Sequence, residues 1–574
     1  MARTVAIGIQ DFAKVITNHC FYVDKTDFIR EWWESKDEVT LITRPRRFGK
    51  TLNMSMVEQF FSVENAGQGG LFEGLSVWQD AAYRELQGTY PVISLTFARV
   101  KEMNYLDTRA KICEIIRKLY IKYSFLRESG VLADADKAYF DRILQLEVSN
   151  PDITSALYQL SDFMCRYYGK KVIILLDEYD TPMQEAYMGG YWDELVAFIR
   201  SLFNSSFKTN QWLERAILTG ITRISKESIF SDLNNLKVVT STSNEYATSF
   251  GFTEKEVFNA LDECGLSEQK EQVKNWYDGF IFGIYRDIYN PWSILNFLDT
   301  GKIATYWANT SSNSLVGKLI REGSSRIKEK FETLLEGKSI LSLIDEQIVY
   351  NRLNGNESAI WSLLLASGYL KVLSYEDYLD IPEGEEPKYE LTLTNLEVKL
   401  MFQSMIRDWF SSTEADYNDF IKALLLGDRK AMNVYMNRVA LNTFSYFDTG
   451  KNPSEAEPER FYHGFVLGLM VDLRGKYVIT SNRESGFGRY DVILEPRNPG
   501  KDGMIINNCG RDAIIMEFKV HDPEEEATLK DTVQAALKQI EEKQYAAQLL
   551  EKGIPAERIR CYGFAFQGKK VLIG

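Results

Sequence analysis

Residues 41–52 read L-I-T-R-P-R-R-F-G-K-T-L, and this stretch decides the fold of the N-terminal half of the chain. It begins in a short apolar run and leads into a helix-like segment, so strand, loop and helix stand in the order of a phosphate-binding loop. Backbone N–H groups of such a loop, with the positive end of the helix, attract anionic phosphate. We expect Lys50 on the β and γ phosphates and the Thr51 hydroxyl on a magnesium ion. Gly49 lets the backbone approach the ligand closely.

One position departs from the usual phosphate loop, which carries a glycine five residues before its Gly-Lys pair. Here that position is Arg44. A basic turn ahead of a helix is therefore an alternative for this stretch, because short motifs also occur by chance. A second motif is needed to decide between the two.

That second motif stands at 171–180, K-V-I-I-L-L-D-E-Y-D. Its apolar run predicts a strand buried on both faces, as central parallel strands are, and the run ends abruptly in carboxylates. In such a Walker B strand, Asp177 would hold magnesium and Glu178 would polarise the water that attacks the γ phosphate. An acidic turn after a strand is the alternative for this motif alone. The two motifs predict each other, and together they favour a nucleotide site.

The segment 215–223, R-A-I-L-T-G-I-T-R, predicts another short buried strand that ends in polar groups. Thr219 could be a polar sensor beside the γ phosphate, and Arg223 a charge sensor. Either residue could equally be a capping or turn residue.

A series of motifs over roughly the first half of the chain resembles the bacterial AAA-ATPase-like family: Y-V-D-K-T (22–26), R-P-R-R-F-G-K-T (44–51), L-L-D-E-Y-D (175–180), F-G-F-T (250–253), W-Y-D-G-F (276–280) and Y-N-P-W-S (289–293). In that family the loop likewise reads R-P-R-R-F-G-K, so Arg44 is a family feature that either touches the nucleotide or ties the loop to a lid. The resemblance implies ATP and Mg²⁺ as cofactors. The residues expected to bind them are Arg44, Arg46, Arg47, Phe48, Gly49, Lys50, Thr51, Leu52, Asp177, Thr219 and Arg223.

Residues 250–345 are predicted to be mostly helical and to form the lid over the nucleotide. Thr253, with Glu256 three residues on, predicts a capped helix start. The aromatic motifs at 276–280 and 289–293 favour packing of the lid over stacking on a base. The 346–445 region, with its acidic stretch at 383–387, carries no recognisable chemistry and is expected to connect and pack.

The last part of the chain holds a second constellation, on two predicted strands at 491–494 and 514–520. Side chains alternate along a strand, so Glu517 and Lys519 point to one face while Met516 and Phe518 point to the other. A carboxylate and an ammonium on a mostly apolar strand are costly to bury unless a metal or another charge satisfies them. A strand with a surface salt bridge is the alternative for Glu-x-Lys alone.

Asp491 followed by Glu517-x-Lys519 resembles the PD-(D/E)-x-K nuclease pattern, although Tyr490 replaces the proline expected before the aspartate. The resemblance implies a mixed sheet with flanking helices and a catalytic set of Asp491, Glu517 and Lys519. Asp491 and Glu517 would bind Mg²⁺ or Mn²⁺, which suits carboxylate oxygens, and Lys519 would help to activate water. A helical Glu459, with His463 one turn on, is expected to support the metal. Downstream helical candidates are Gln539 and Lys543.

Composition excludes several classes of protein. A net charge of −14 argues against a non-specific nucleic-acid coat, while residues 446–574 carry nearly equal numbers of acidic and basic residues. The chain has 6 cysteines without a C-x-x-C pair and 3 histidines, which cannot supply an ordinary zinc cluster. No apolar run approaches the ~18 residues of a membrane span and no signal peptide is evident, so we expect no membrane association and a cytoplasmic location.

The sequence therefore predicts an α/β protein of four segments: an AAA-like P-loop ATPase at 1–245, a helical lid at 246–345, a helical connection at 346–445 and a nuclease-like domain at 446–574. The predicted function is ATP hydrolysis coupled to metal-dependent cleavage of nucleic acid, with DNA as the expected partner. The alternative is a nucleotide switch whose nuclease-like domain binds nucleic acid or a protein without cleaving. AAA-type sites often take a neighbour's arginine, which leaves room for a homo-oligomer.

Overall fold

The computed structural model describes residues 4–223, 229–230, 232–307, 314–345, 353, 356–410, 414–447, 457–483, 489–497 and 511–574. It divides the chain into two compact units. Unit 1 contains residues 1–312 and 337–399, and unit 2 contains residues 313–336 and 400–574. The chain therefore leaves unit 1 twice, after Ser312 and after Lys399. Among the described residues, no helix combines the length and the apolar character needed to cross a bilayer.

The strands are β1 (Val39–Thr43), β2 (Val92–Thr96), β3 (Val172–Asp177), β4 (Leu213–Gly220), β5 (Leu236–Val239), β6 (Phe252–Thr253), β7 (Asp278–Phe282), β8 (Tyr285–Tyr289), β9 (Ile340–Leu343), β10 (Leu370–Tyr375), β11 (Lys388–Leu393), β12 (Tyr477–Arg483), β13 (Arg489–Pro496), β14 (Ala513–Val520), β15 (Ile559–Gln567) and β16 (Lys570–Ile573).

The helices are α1 (Phe12–Thr17), α2 (Asp27–Ser35), α3 (Lys50–Phe61), α4 (Ala81–Leu86), α5 (Tyr105–Lys122), α6 (Phe125–Glu128), α7 (Asp134–Gln145), α8 (Asn150–Thr154), α9 (Ala156–Tyr168), α10 (Thr181–Gly189), α11 (Trp192–Phe207), α12 (Glu254–Glu263), α13 (Lys270–Tyr277), α14 (Pro291–Thr300), α15 (Ser314–Glu322), α16 (Ser325–Leu335), α17 (Glu357–Ala366), α18 (Leu396–Asp408), α19 (Glu414–Leu426), α20 (Arg429–Phe447), α21 (Glu457–Asp472), α22 (Leu529–Glu542) and α23 (Ala547–Glu551).

A five-stranded parallel sheet in the order β2-β3-β4-β1-β5 organises the N-terminal part of unit 1. All residues of β1 and β3 are buried, as expected of central parallel strands that are covered on both faces. Because the strands are parallel, the carboxyl ends of β1, β3 and β4 lie at one edge of the sheet. The strand–loop–helix order predicted for 41–52 and the strand ending at Asp177 are confirmed.

The region predicted as a mostly helical lid also contains strands. β6, β7 and β8 form a three-stranded antiparallel sheet, in which β7 and β8 flank a turn through Gly283. The capped start of α12 is confirmed, since the Thr253 hydroxyl accepts from Glu256 N and the Glu256 carboxylate accepts from Thr253 N. These strands are short and rich in aromatic residues, so the helical pattern of the neighbouring segments dominated the prediction for this region.

The predicted connecting region at 346–445 is shared between the two units. β9, β10 and β11 form a second three-stranded sheet in unit 1, whereas α19 and α20 belong to unit 2. Unit 2 also takes α15 and α16, which precede that sheet in sequence. The division into four segments stays a prediction. The boundaries of the two compact units fall at other positions than the predicted segment boundaries.

Unit 2 contains a mixed five-stranded sheet in the order β12-β13-β14-β15-β16. β14 pairs antiparallel with β13 and parallel with β15. The Phe518 ring packs on Tyr462 of α21, with ring centroids 4.7 Å apart. Ile515 packs with Ile540 of α22, so α21 and α22 cover opposite faces of β14. This is the mixed sheet with flanking helices that the nuclease pattern implied.

A carboxyl pair on β7 and β8 gives unit 1 a testable pH dependence. Burial first, and then the neighbouring Asp287 carboxyl, raise the pKa of Asp278 to about 7, while Lys274 opposes the shift. Burial also lowers the pKa of the nearby Lys371 ammonium, against the opposing charge of Asp278. Because the folded state binds more protons than the unfolded state between the ordinary value of 3.8 and about 7, this group makes stability fall as pH rises through that window.

We therefore expect Asp278→Asn to reduce the loss of thermal stability between about pH 5 and pH 8. Melting temperatures measured across that range for the wild type and the variant check this. Asp299→Asn, at an exposed position of α14, is the matched control and should follow the wild-type curve. Parallel curves for the wild type and Asp278→Asn would contradict the raised pKa.

Candidate nucleotide and metal sites

A cavity of about 490 Å³ lies at the carboxyl edge of the parallel sheet in unit 1. Its volume falls in the range of ~300–1,000 Å³ that small-molecule sites occupy. Basic and polar residues of the loop form one part of the wall, and apolar residues form the other. The loop contributes 46–53, the strand end contributes Glu178 and Asp180, and the apolar part includes Ile9, Val15, Phe21, Val23, Phe252, Pro291 and Leu295.

Three predicted residues meet beside this cavity. The Thr51 hydroxyl donates to Asp177 Oδ2 at 2.7 Å, and the Thr219 hydroxyl donates to Asp177 Oδ1. Thr51 lies in the first turn of α3, Asp177 ends β3 and Thr219 lies near the end of β4, so sheet order alone brings them together. Oxygen donors of this kind suit Mg²⁺, and Thr51 with Asp177 is the set that would hold the ion. The residues present therefore fit a magnesium–nucleotide complex.

The two carboxylates after β3 have different surroundings. Glu178 has a φ of 52°, a left-handed conformation that costs free energy for a residue with a side chain, and it lines the cavity. Its Oε2 accepts from the Thr181 hydroxyl at 3.1 Å. Asp180 is buried, and its Oδ2 accepts from the N–H groups of Ile221 and Thr222 and from the Thr222 hydroxyl. Asp180 thus fixes the backbone of Ile221 and Thr222 after β4, while Glu178 lines the cavity.

Lys50 is buried and folded back on the loop. Its ammonium donates to the carbonyl oxygens of Arg44 and Pro45, at 2.9 and 2.8 Å. Burial lowers the pKa of Lys50, and the carboxylates of Asp177, Glu178 and Asp180 oppose that shift. The hydrogen-bond acceptors of the ammonium are thus two neutral carbonyls, with three carboxylates nearby, and its contact with phosphate stays a prediction.

Arg44 has a structural place in this loop. Its side chain is fully buried, and its guanidinium donates to the carbonyls of Thr43, Thr240 and Glu245. The guanidinium also lies over the Phe282 ring, 4.7 Å from its centroid. Burial lowers the pKa of Arg44 to about 9. Arg44 thereby ties the loop to residues 240–282 and is not among the residues that line the cavity; its contact with nucleotide stays a prediction.

The remaining loop residues divide between wall and core. Arg46 donates to Gln184 Oε1 at 3.2 Å, and the exposed Arg47 stacks on Trp292 with its guanidinium 4.3 Å from the ring centroid. Phe48 packs edge-on against Phe280, at 4.8 Å. Gly49 has a φ of 82°, which glycine adopts without strain, and Leu52 lies on the cavity wall.

Arg223 lies apart from the main cavity. It lines a second, smaller cavity with Thr43, Thr240 and Asp345. The structure thus brings Thr219, but not Arg223, to Asp177, and the role of Arg223 as a charge sensor stays a prediction.

Sequence reasoning missed a partly buried ion pair, whose lysine lies on the cavity wall. The Lys25 ammonium donates to both oxygens of Glu256 at 2.7 Å and to the Thr248 carbonyl at 2.8 Å. It joins the Y-V-D-K-T segment to the capping box of α12. A signal was present, because Lys25 belongs to a motif that resembles the family and Glu256 belongs to the predicted cap of α12, but their pairing across the chain could not be read from either.

The second predicted site lies on β13 and β14 of unit 2. Asp491 pairs directly with Glu517, so the two residues share one face of the sheet. Glu517 is fully buried, and neither of its carboxylate oxygens has a hydrogen-bond partner among the residues that the structure describes. A buried carboxylate without donors is costly, and a divalent cation is a group that would satisfy it. The side chain of Asp491 lies outside the described part of the chain.

The other predicted members of this site are only partly defined. Alternation places Lys519 on the face of Glu517, and Gln539 is buried on α22, which covers that face. Lys543 immediately follows α22. Glu459 lies on α21, but its side chain is outside the described residues, while the buried His463 Nδ1 lies 3.3 Å from Glu332 of α16. Within the described ranges, no three Asp, Glu, His or Cys side chains form a metal-binding group.

His521 is a further residue on this face that sequence reasoning missed. Its N–H continues the parallel ladder by donating to Phe566 O, so the alternation of Glu517 and Lys519 extends to it. Its Nδ1 lies 2.9 Å from the Thr532 hydroxyl on α22. The spacing 517, 519, 521 was the available signal.

Comparisons with known proteins agree with both halves of this description. Residues 6–230 match a family model described as "Predicted AAA-ATPase", and residues 457–574 match one described as "PD-(D/E)XK nuclease superfamily". An uncharacterized protein in the vnfD 5' region of Azotobacter chroococcum mcd 1 is 25% identical over 399 residues, which cover 69% of this chain and 68% of that protein. The chain thus combines an N-terminal region that matches the predicted AAA-ATPase family with a C-terminal region that matches the PD-(D/E)XK nuclease superfamily.

Proposed function

We propose that this chain binds and hydrolyses ATP in unit 1 and cleaves nucleic acid, with DNA as substrate, in unit 2. The observation that carries the proposal is the meeting of Thr51, Asp177 and Thr219 beside a cavity lined by a Gly-Lys-Thr loop. The two matched families, which describe an ATPase and a nuclease, support the pairing of activities.

In the ATPase reaction, the loop N–H groups and Lys50 would hold the phosphates, and Thr51 and Asp177 would hold Mg²⁺. Glu178 faces the ligand space and would accept a proton from the attacking water. The metal supplies neutralisation of the charge that develops on the phosphates. Thr219 fixes the Asp177 carboxylate from the far side, so the metal-holding oxygen keeps its direction.

In the nuclease reaction, Asp491 and Glu517 would hold the divalent cation, with Glu459 in support. Lys519 would orient the attacking water beside the scissile phosphate. The cation supplies Lewis-acid stabilisation of that phosphate. Support comes from the buried Glu517 carboxylate, whose oxygens have no hydrogen-bond partner within the described residues.

The test is to measure ATP hydrolysis and nucleic-acid cleavage by the full chain, with Mg²⁺ and with Mn²⁺, on single- and double-stranded DNA and on RNA. We expect hydrolysis that depends on metal and cleavage of DNA that EDTA abolishes. ATP hydrolysis with binding of DNA but no cleavage in either metal would support the switch instead. Absence of ATP binding would refute the proposal for unit 1.

A further inference from the structure

The backbone carbonyl of Arg46, in the phosphate loop, is held by two side chains from outside the loop. Asn290 Nδ2 donates to it at 3.3 Å, and Trp307 Nε1 donates to it at 3.0 Å. Both donors are buried. Asn290 also caps α14, since its Oδ1 accepts from the N–H groups of Trp292 and Ser293.

Holding this carbonyl fixes the direction of the next N–H. The peptide bond is planar and trans, so the N–H of Arg47 points away from the Arg46 carbonyl. The carbonyl is turned toward Asn290 and Trp307, and Arg47 itself lines the cavity with a φ of 66°. Within the described part of the chain, no acceptor takes the Arg47 N–H. An N–H in that position is available to an anion.

A buried carboxylate fixes Trp307 in turn. Glu397 is 1% exposed; its Oε1 accepts from Trp307 N at 2.6 Å and its Oε2 accepts from the Ser293 hydroxyl at 2.8 Å. Hydrogen bonds to a charged acceptor are stronger than neutral ones, particularly in a buried place. The Arg46 carbonyl, Asn290, Ser293, Trp307 and Glu397 thus form one connected group, which we call the Arg46 node.

The Arg46 node lies next to both points at which the chain leaves unit 1. Trp307 comes just before Ser312, where the chain first passes into unit 2. Glu397 lies in the first turn of α18, just before Lys399, where the chain passes into unit 2 again. A change in the loop that moves the Arg46 carbonyl would therefore act on Trp307 and, through it, on Glu397 in the first turn of α18.

We propose that the Arg46 node regulates the nucleotide site: Trp307 and Asn290 are positioning residues that turn the Arg47 N–H toward the phosphates, and Glu397 passes a change of nucleotide state to α18. This inference rests on the proposed function of unit 1. These residues take part in no chemical step, because they act through the loop backbone.

The first experiment measures the dissociation constant of a non-hydrolysable ATP analogue. We expect Trp307→Phe and Asn290→Asp each to raise it about 10-fold, because each removes a donor to the Arg46 carbonyl while Phe keeps a ring and Asp keeps the cap. Trp276→Phe, in α13, is the control and should bind as the wild type does. Melting temperatures of all variants identify any loss of folding. Wild-type affinity in a folded Trp307→Phe variant would overturn the positioning role.

The second experiment follows hydrogen–deuterium exchange of α18 with and without the analogue. We expect the analogue to slow exchange of Leu396–Asp408 in the wild type, and to leave it unchanged in a Glu397→Gln variant at saturating analogue. If α18 responds equally in both proteins, the relay through Glu397 is wrong although nucleotide binding stands. If the wild type binds no analogue at all, the proposed function fails, and the inference fails with it.

Discussion

Replacing Lys50 with methionine is expected to lower the affinity for ATP by about 100-fold or more and to abolish hydrolysis, because the charge that meets the β and γ phosphates is lost. In the structure the Lys50 ammonium donates to two carbonyls and faces the carboxylates of Asp177, Glu178 and Asp180. Phosphate oxygens would replace the two carbonyls as its partners. Methionine has a similar length but no hydrogen-bond donor. The substitution therefore removes the charge and preserves the shape of the loop.

The stability of the Lys50→Met variant should change much less than its affinity. The carbonyls of Arg44 and Pro45 lose a donor, which costs about 1–3 kcal/mol for a buried acceptor. Removal of a buried ammonium opposes that loss, since burial disfavours the charged form. Equilibrium binding of labelled ATP measures the affinity, steady-state kinetics measure hydrolysis, and thermal unfolding measures the stability of the variant. Lys111→Met, at an exposed position of α5, is the control. An unimpaired affinity in Lys50→Met would place the phosphates elsewhere.

The parts of the nucleotide site that could be predicted from sequence are those set by near neighbours in the chain. An apolar run, a basic loop and a helix start gave β1, the loop and α3, and an apolar run ending in carboxylates gave β3 and Asp177. Parallel order then brings these ends to one edge. The pairing of Thr51 with Asp177 follows from that geometry rather than from either motif alone.

The surroundings of Arg44 and Arg46 could not be predicted in the same way. The guanidinium of Arg44 bonds to backbone carbonyls, which carry no signature of residue type. The partners of the Arg46 carbonyl lie more than 240 residues away in sequence. Their selection depends on how residues 290–307 pack against the loop, and a single sequence contains no record of that packing.

The second site shows the same division. Alternation along β14 correctly assigned Glu517 and Phe518 to opposite faces, as the packing of Phe518 on Tyr462 confirms. The inclusion of residues 313–336 in unit 2 was not predictable, because those helices come before a sheet of unit 1 in sequence. Only a tertiary contact, such as that of Glu332 with His463, places them.

Replacing Glu517 with glutamine is the other substitution for which we expect a large effect. Metal-dependent cleavage of DNA should fall below about one hundredth of the wild-type rate, since an amide is a poor ligand for a hard cation and adds no negative charge. Glu541→Gln, at an exposed position of α22, is the matched control and should cleave normally. Cleavage assays with Mg²⁺ and Mn²⁺ measure the difference, and a fully active Glu517→Gln variant would remove Glu517 from the metal site.

The same variant separates a metal-binding role from a structural one without any measurement of activity. In metal-free buffer, Glu517→Gln should unfold at the wild-type temperature or above it, because the buried carboxylate has no donor among the described residues and its charge is costly there. A cation that binds only the native state adds about 2.7 kcal/mol when its concentration is about 100 times its Kd. Mg²⁺ or Mn²⁺ should therefore raise the melting temperature of the wild type and of Glu541→Gln but not that of Glu517→Gln. A carboxylate with a purely structural role would give different melting temperatures. The variant would then be less stable than the wild type in metal-free buffer, and metal would change its melting temperature as it changes that of the wild type.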